Sequence, residues 1–237
     1  MSKDDTTWKV LPHRPLEQLA DNLWRVEGDL QGMPLKRVMA VVRLADGGLV
    51  IHNAIAMDEP SMLQLDALGK VRYLVVPNGF HRMDARRFAN RYPEAKVVCP
   101  KGSRKKVEEV VPVNLTYEEF PKDSTVSFTT LDGVGEQEGV MNVRSSDGVS
   151  LLLNDALFNM PHVGGLHGFV FKHITKSSGG LRVTRLTKLM LVKDRAAFAA
   201  HLKRLADTPE LRRVLVAHHQ TVTENAASAM RAAVADL

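Results

Sequence analysis

The sequence predicts an α/β fold, in the form of one four-layer αββα sandwich. Three observations lead to this prediction: strands alternate with helices over residues 37–111, strands dominate residues 124–155, and the last third returns to helices around one strand. Each half therefore has strands that helices can cover on one side, and two such halves are expected to pack sheet against sheet. Since no linker rich in Pro, Gly or Ser divides the chain, we expect a single domain over residues 1–237.

The first predicted elements are a β-hairpin and a helix. The run "RVMAVVRL" ends at the turn "ADGG", and "LVIHNAI" follows as the pairing strand. Residues 58–69 then have apolar side chains at helical spacing, with Pro60 in the first turn and Gly69 at the C-terminal end.

Four further elements alternate between strand and helix. Residues 71–77 and 95–100 are apolar runs of strand length, and residues 83–92 and 102–111 are expected to be helical. This succession predicts a parallel sheet with crossover helices. The single cysteine, Cys99, lies in the second apolar run and is expected to be buried in a strand.

The second half follows the same logic. Residues 139–155 are expected to form two strands around a "SSDG" turn, and Asp194 is a good N-cap for a helix at 195–206. The other predicted elements are a strand within 124–133, a short helix opened by Thr208 and Pro209, a strand at 214–219 and a terminal helix capped by Thr223.

Composition narrows the possible partners and location. The 32 lysines and arginines exceed the 27 acidic residues, giving a net charge of +5, but they are dispersed, and aromatics are only 5%. Nucleic-acid binding is therefore not favoured, whereas an anionic small-molecule ligand is compatible with the charge. The polar start "MSKDDTTWKV" is not typical of a secretory signal, and no apolar run is long enough to span a bilayer. With one cysteine, we expect a cytoplasmic protein without a membrane partner, of undetermined oligomeric state.

The stretch "VVPNGFHRMDARRF", residues 75–88, is the first candidate for a functional site. It is a buried strand that stops at a proline and is followed by a polar turn and a basic helix. Loops at the ends of such strands commonly carry the chemistry of α/β proteins. His81 and Asp84, three residues apart, are candidate metal ligands in this turn.

The order of several motifs resembles that of the metallo-β-lactamase-fold hydrolases. They are "GGLVIHNAI", "LDALGKVRYLVVPNGFHRMDARRF", "YPEAKVVCP", "LDGVGEQEGVMNV", "SLLLNDALFN" and "RRVLVAHHQTV", and the resemblance covers roughly residues 20–225. It implies the αββα sandwich. The chain is most similar to an uncharacterised branch of this fold whose metal motif is degenerate.

Carried over residue by residue, the resemblance implies an eroded metal site. The segment "PNGFHRMDA" replaces the His-x-His-x-Asp-His motif, and Asn53 replaces the acidic residue of the first turn. One alignment places His81 and Asp84 on the third and sixth motif positions. The other places Asn78, Phe80, Arg82 and Met83 on the ligand positions, where they would bind no metal.

The remaining motifs are matched elsewhere in the chain. Glu136 falls on the histidine of Gly-His-Thr-x-Gly, Asp155 on the bridging aspartate and His218 on the final histidine. The implied ligands are His81, Asp84, Glu136, Asp155 and His218. Such a set would suit one divalent ion, Zn²⁺, Mn²⁺ or Fe²⁺, or it is a site that no longer binds a metal.

Two functional hypotheses follow. The first is a weak metal-dependent hydrolase of an ester, lactone or phosphoester, with Asp155 and His81 as catalytic residues. In it, His162 and His167 would contact the substrate, because the loop after Asp155 borders the pocket in this fold, and Asn78 would contact it from the turn at residues 77–84. The second is a non-catalytic binding module that uses the old pocket for a small anionic ligand or a protein partner.

Overall fold

The computed structural model describes residues 6–235 and 237, and a seven-stranded sheet forms its first half. The strands lie in chain order. They are β1 (Glu17–Ala20), β2 (Leu23–Leu30), β3 (Met33–Arg43), β4 (Leu49–His52), β5 (Val71–Val75), β6 (Lys96–Cys99) and β7 (Leu115–Thr116). β1 to β4 pair antiparallel, whereas β4 to β7 pair in parallel. The predicted hairpin and the predicted parallel sheet are both present.

Three helices cover one face of this sheet: α1 (Glu59–Leu68), α2 (Ala85–Arg91) and α3 (Arg104–Glu108). The start of α1 is fixed as the sequence predicts, because Asp58 accepts a hydrogen bond from the Ser61 backbone N–H at 2.9 Å and Pro60 lies in the first turn. Gly69 ends the helix at φ 152°, in the region that favours glycine.

The second half contains a four-stranded sheet in the order β13, β10, β9, β8. These strands are β8 (Val126–Thr130), β9 (Gly139–Ser145), β10 (Gly148–Leu152) and β13 (Leu211–Leu215). Helices α6 (Arg195–Ala206) and α7 (Ala226–Ala235) cover its outer face. The side chain of Asp194 accepts from the Ala197 N–H at 3.0 Å and caps α6, as predicted.

Three hydrophobic cores separate four layers. Alternation along β3 shows how this arises: Met39 and Val41 pack under α1 to α3, while Ala40 and Val42 point the other way, toward the second sheet. The third core lies between the second sheet and its helices α6 and α7. The αββα sandwich expected from the order of elements is therefore confirmed.

Between β10 and α6, residues 156–193 form an irregular segment, which we call the wall segment. It contains β11 (Phe158–Met160), α4 (Gly165–Phe169), a π-helical turn (Val170–Ile174), β12 (Gly180–Arg182) and α5 (Arg185–Met190). The sequence predicts no element here, because none of these pieces is long enough to show a periodic pattern of apolar residues.

The strand expected at residues 214–219 is β13, at Leu211–Leu215. Two predicted helix starts are also wrong. Thr208 and Pro209 do not open a helix, since the chain passes from α6 into β13 through a turn. The terminal helix begins at Ala226, so Thr223 does not cap it. In both cases a local helix-start signal lies in a connection whose length is set by the elements on either side.

Within the described residues, no helix has the length and apolar character needed to cross a membrane.

Candidate metal centre

Three side chains converge at one edge of the sandwich. His81 lies in the loop after β5, Asp155 follows β10, and His218 follows β13, so both sheets contribute. Asp155 Oδ1 lies 3.0 Å from His81 Nε2 and 3.3 Å from His218 Nε2. Among the described residues this is the one group of three potential ligands whose atoms all lie within 4.8 Å of one another.

Hydrogen bonds on the far side of each imidazole fix its tautomer. His218 Nδ1 lies 2.9 Å from the carbonyl oxygen of Lys36, and His81 Nδ1 lies 3.2 Å from Asn53 Oδ1. The Asn53 amide is oriented in turn, because its Nδ2 donates to the Val38 carbonyl at 2.7 Å. Both partners of the imidazoles are acceptors, so each Nδ1 carries the proton.

In each imidazole, Nε2 is therefore the nitrogen still available as a ligand or hydrogen-bonding atom. Both Nε2 atoms face the same carboxylate oxygen, Asp155 Oδ1. A bare nitrogen lone pair at 3.0 Å from a carboxylate oxygen would be repelled, so the arrangement requires a cation between them, either protons or a metal ion. Tetrahedral Zn²⁺ with ligand bonds of 2.0–2.2 Å separates its ligand atoms by about 3.3 Å. The distances of 3.0 and 3.3 Å from Asp155 Oδ1 are compatible with ligand atoms around one metal ion, and also with N–H···O hydrogen bonds.

The surroundings also hold Asp155 in its ionised form. Partial burial raises the pKa of this carboxyl, but His81 and His218, through charge and hydrogen bonds, outweigh burial and hold the pKa well below its usual range. The second oxygen, Oδ2, accepts from Asn78 Nδ2 at 2.7 Å. The orientation of the carboxylate is thus fixed from both sides.

A buried glutamate that the sequence analysis did not select supports the loop of Asp155. Glu138 is fully buried at the start of β9, and its carboxyl accepts the backbone N–H groups of Asn154, Asp155 and Ala156 at 2.9–3.0 Å. Burial and the nearby Asp155 charge raise the pKa of Glu138 to about 8, although its hydrogen bonds to Ala156, Asn78 and Asn154 oppose the shift. The only signal in the sequence is an acidic residue directly before a buried strand.

Two of the five implied ligands lie elsewhere. Asp84 is buried and paired with Arg37 at 2.8 Å and Arg87 at 2.6 Å, so its charge is already balanced by two guanidinium groups. Glu136 is exposed on a turn at φ 59°. The structure brings neither of them into the group of His81, Asp155 and His218.

An apolar cleft of about 350 Å³ lies above this group. His81, Asp155 and His218 form its floor, and the ring of Phe158 stacks on His218 at 4.7 Å between ring centroids. Its other apolar lining residues are Met33, Leu35, Phe80, Phe171, Leu186, Met190 and Leu191. No lysine or arginine of the described residues lines it, which makes it suited to an apolar ligand.

The three predicted substrate contacts differ in position. Asn78 lines the apolar cleft, but its amide is engaged internally: Nδ2 faces Asp155 and Glu138, and Oδ1 accepts from the Phe80 and His81 N–H groups. His162 bonds Ser178 and lines a different cleft, and His167 is exposed on α4. Neither histidine lines the apolar cleft.

Comparison with known proteins assigns the fold. No protein-family model and no curated protein matches the sequence. Among solved structures, the chain is similar to the DIM-1 metallo-β-lactamase exposed to ceftazidime, with a TM-score of 0.65, 12% identity and coverage of 96% of this chain and 99% of the other.

Two further structures agree. The FIM-1 metallo-β-lactamase from Pseudomonas aeruginosa, in a mono-zinc form, has a TM-score of 0.62 at 11% identity, covering 96% of this chain and 97% of the other. A metallo-β-lactamase from Pontibacter korlensis has a TM-score of 0.59 at 12% identity, with coverage of 94% and 99%. With its αββα layers and these near full-length matches, the chain has the metallo-β-lactamase fold.

Proposed function

We propose that the protein is a metal-dependent hydrolase that binds one divalent ion through His81, Asp155 and His218. The observation that supports this most directly is the pair of Nε2 atoms facing one carboxylate oxygen, with both Nδ1 protons already committed. Two imidazoles and one carboxylate suit Zn²⁺, Mn²⁺ or Fe²⁺ and leave at least one position open. A single ion fits this group of three ligands.

The reaction we propose is the hydrolysis of an ester, lactone or phosphoester with an apolar part. When bound, the ion would supply an activated water and polarise the group under attack. Asp155 and His81, together with His218, would hold the ion, and through it that water, beneath the cleft. The apolar side chains above them, among them Phe80 and Phe171, would exclude other water and bind the apolar part of the substrate.

Asn78 acts in this scheme as a positioning residue. All of its polar atoms are occupied by Asp155, Glu138 and the backbone of its own loop, so it orients the carboxylate rather than contacting the substrate. Asn53 does the same for His81. The chemistry would thus lie with three ligands, which Asn53, Asn78 and the Lys36 carbonyl orient.

Metal analysis of protein purified without chelator tests the proposal. We expect about one divalent ion per chain in the wild type, and less than about a tenth of that in His218→Ala and Asp155→Asn, since each removes one of three ligands. His201→Ala is the matched control, because His201 is also a buried histidine but lies on α6 and bonds the Asp132 N–H. Wild-type protein that takes up no Zn²⁺, Mn²⁺ or Fe²⁺ on addition would contradict the proposal.

One observation favours a non-catalytic alternative. If protons rather than a metal lie between the imidazoles and Asp155, every polar atom of the floor is satisfied, and the cleft becomes a binding pocket for an apolar ligand. The same metal analysis separates the two functions. Binding of an apolar ester without turnover by metal-free protein, unchanged in Asp155→Asn, would support the binding module.

A further inference from the structure

The wall segment has a composition unlike the rest of the chain. Residues 156–193 contain six of the 32 lysines and arginines and none of the 27 aspartates and glutamates. Without this segment the net charge of +5 would become −1. The 32 basic residues are dispersed along the chain, but the excess of positive over negative charge is concentrated in this segment.

Five of the six cations surround a second cleft, which we call the basic cleft. Its volume is about 370 Å³, and its charged lining consists of Lys172, Lys176, Arg182, Arg185 and Lys188 together with His162 and His173. No acidic residue of the described chain lines it. Arg182 Nε is buried in this wall without a hydrogen-bond partner. Such a site attracts anions.

The same segment exposes most of the large apolar side chains of the surface. Of the ten that are exposed in the described chain, six belong to it: Leu166, Phe169, Ile174, Leu186, Leu189 and Met190. Leu189 is 83% exposed and Leu166 78%. Single exposed apolar residues are ordinary, but a group confined to one segment indicates a surface that is covered by a partner.

The two clefts share their walls. On α5, Leu186 and Met190 line the apolar cleft, whereas Arg185 and Lys188 line the basic cleft. The π-helical turn divides in the same way, since Phe171 lines the apolar cleft and Lys172 and His173 line the basic one. Cationic and apolar groups are thus interleaved on the same short elements.

From this arrangement we infer that the wall segment docks on an anionic lipid bilayer. Interfacial segments combine exposed apolar residues, which enter the headgroup region, with lysines and arginines, which pair with anionic lipids. A free phosphate would explain the basic cleft but not the exposed leucines. A nucleic acid would call for aromatic stacking surfaces, and Phe169 is the one exposed aromatic residue in the segment. The inference replaces the expectation from composition that no membrane is a partner.

Docking would also define the substrate class, a point that rests on the proposed function. The apolar cleft lies against the docking elements and leads to His81, Asp155 and His218. An acyl chain could therefore pass from the bilayer into the cleft while its ester group reaches the floor. Water attacks the acyl carbon, the carbon–oxygen bond breaks, and a fatty acid and an alcohol are released.

Vesicle sedimentation tests the docking. We expect full-length protein to bind vesicles of phosphatidylcholine with about a third phosphatidylserine, and to lose binding as the salt concentration rises. Lys172→Glu with Lys176→Glu should weaken binding at least about tenfold. Lys105→Glu with Lys122→Glu is the matched control, because these lysines are exposed outside the segment and should leave binding unchanged. Leu189→Ser should weaken binding, and Leu63→Ser, at an exposed leucine of α1, should not.

The following results of these binding experiments would contradict docking of the wall segment on a bilayer. If the protein bound vesicles of pure phosphatidylcholine as tightly as the anionic vesicles, the cations of the segment would have no role. If the control variants lost as much vesicle binding as the variants of the segment, the segment would have no special role. Retention on single-stranded DNA without vesicle binding indicates a nucleic acid, and a dimer in sedimentation that Leu189→Ser dissociates indicates a second copy. Displacement from vesicles by millimolar inorganic phosphate at constant ionic strength indicates a small-anion site.

The metal-site variant separates this inference from the proposed function. His218→Ala should bind vesicles as the wild type does, because His218 lies in the floor of the apolar cleft and not in the docking segment. Vesicle binding by both proteins, without hydrolysis of a long-chain ester by the metal-loaded wild type, would retain the docking surface and reject the substrate class.

Discussion

The floor and the wall of the apolar cleft are built in opposite ways. The floor consists of His81, Asp155 and His218 on loops directly after strands, and buried groups such as Glu138 and Asn53 hydrogen-bond to the loops or to the side chains themselves. Most of the wall comes from residues 156–193, in helices of five and six residues, strands of three and a π-helical turn, with exposed apolar and basic side chains.

The floor and the wall therefore meet different structural requirements. Converging ligands must be held within a few tenths of an ångström, which buried hydrogen bonds between strand ends can do. A surface that meets a ligand or a membrane needs no such rigidity, and short elements on the outside can change without disturbing the cores. Substitutions in the floor should therefore cost stability, and substitutions in the wall should cost binding.

The largest effect is expected at Asp84, which anchors the loop carrying His81. Its carboxylate pairs with Arg37 on β3 and Arg87 on α2, all three side chains being buried. Asp84→Asn removes the buried negative charge that pairs with both the Arg37 and the Arg87 guanidinium groups, and should lower the free energy of unfolding by about 3–5 kcal/mol in urea denaturation. Asp46→Asn, which breaks an exposed pair with Arg72, should cost less than about 1 kcal/mol. Equal losses would mean that burial of the pair is unimportant.

A smaller loss is expected at Glu138. Glu138→Gln keeps one oxygen for two of the three backbone N–H donors, but its new NH₂ group opposes the Asp155 N–H and the Asn78 Nδ2 group, both of which donate to Oε2. The unfolding free energy should fall by about 1–3 kcal/mol, the cost of an unsatisfied buried donor. Metal affinity, measured by titration calorimetry, should fall as well because the Asp155 loop shifts. Unchanged stability would show that Glu138 is not needed to position this loop.

The stability of the protein should also depend on pH through His52, the last residue of β4. Burial, and secondarily the charge of His81, lower the pKa of His52 to about 3. The unfolded chain binds a proton below about pH 6.5 while the native state stays neutral, so stability is lost as the pH falls from about 6.5 toward 3, by up to about 1.4 kcal/mol per pH unit. His52→Gln should reduce the slope by this amount in urea titrations at several pH values. Parallel curves would rule out a neutral buried His52.

The smallest effect on stability is expected in the wall. Leu189→Ser replaces a leucine that is largely exposed and should change the unfolding free energy by less than about 0.5 kcal/mol. Phe198→Ala, at a fully buried position of α6, should cost about 3–5 kcal/mol. If Leu189→Ser destabilised the protein as strongly, the wall would be part of the folded core.

The sequence could predict the layers and three candidate metal ligands, for a common physical reason. Buried strands appear as apolar runs, and His81, Asp155 and His218 each follow one closely. The pairing of Asp84 with Arg37 could not be predicted, since these residues lie 47 positions apart and meet only in the tertiary structure. Glu136 and Glu138 look alike in the sequence, and only the turn before β9 buries one and exposes the other.

The composition of the wall segment makes the protein an electric dipole. A local charge of +6 on residues 156–193 stands against −1 on the rest of the chain, so a negatively charged surface exerts a torque on the molecule before any contact forms. The mouth of the apolar cleft would then already face that surface when the protein makes contact with it. The rate of association should consequently fall with ionic strength more steeply than the overall charge of +5 indicates.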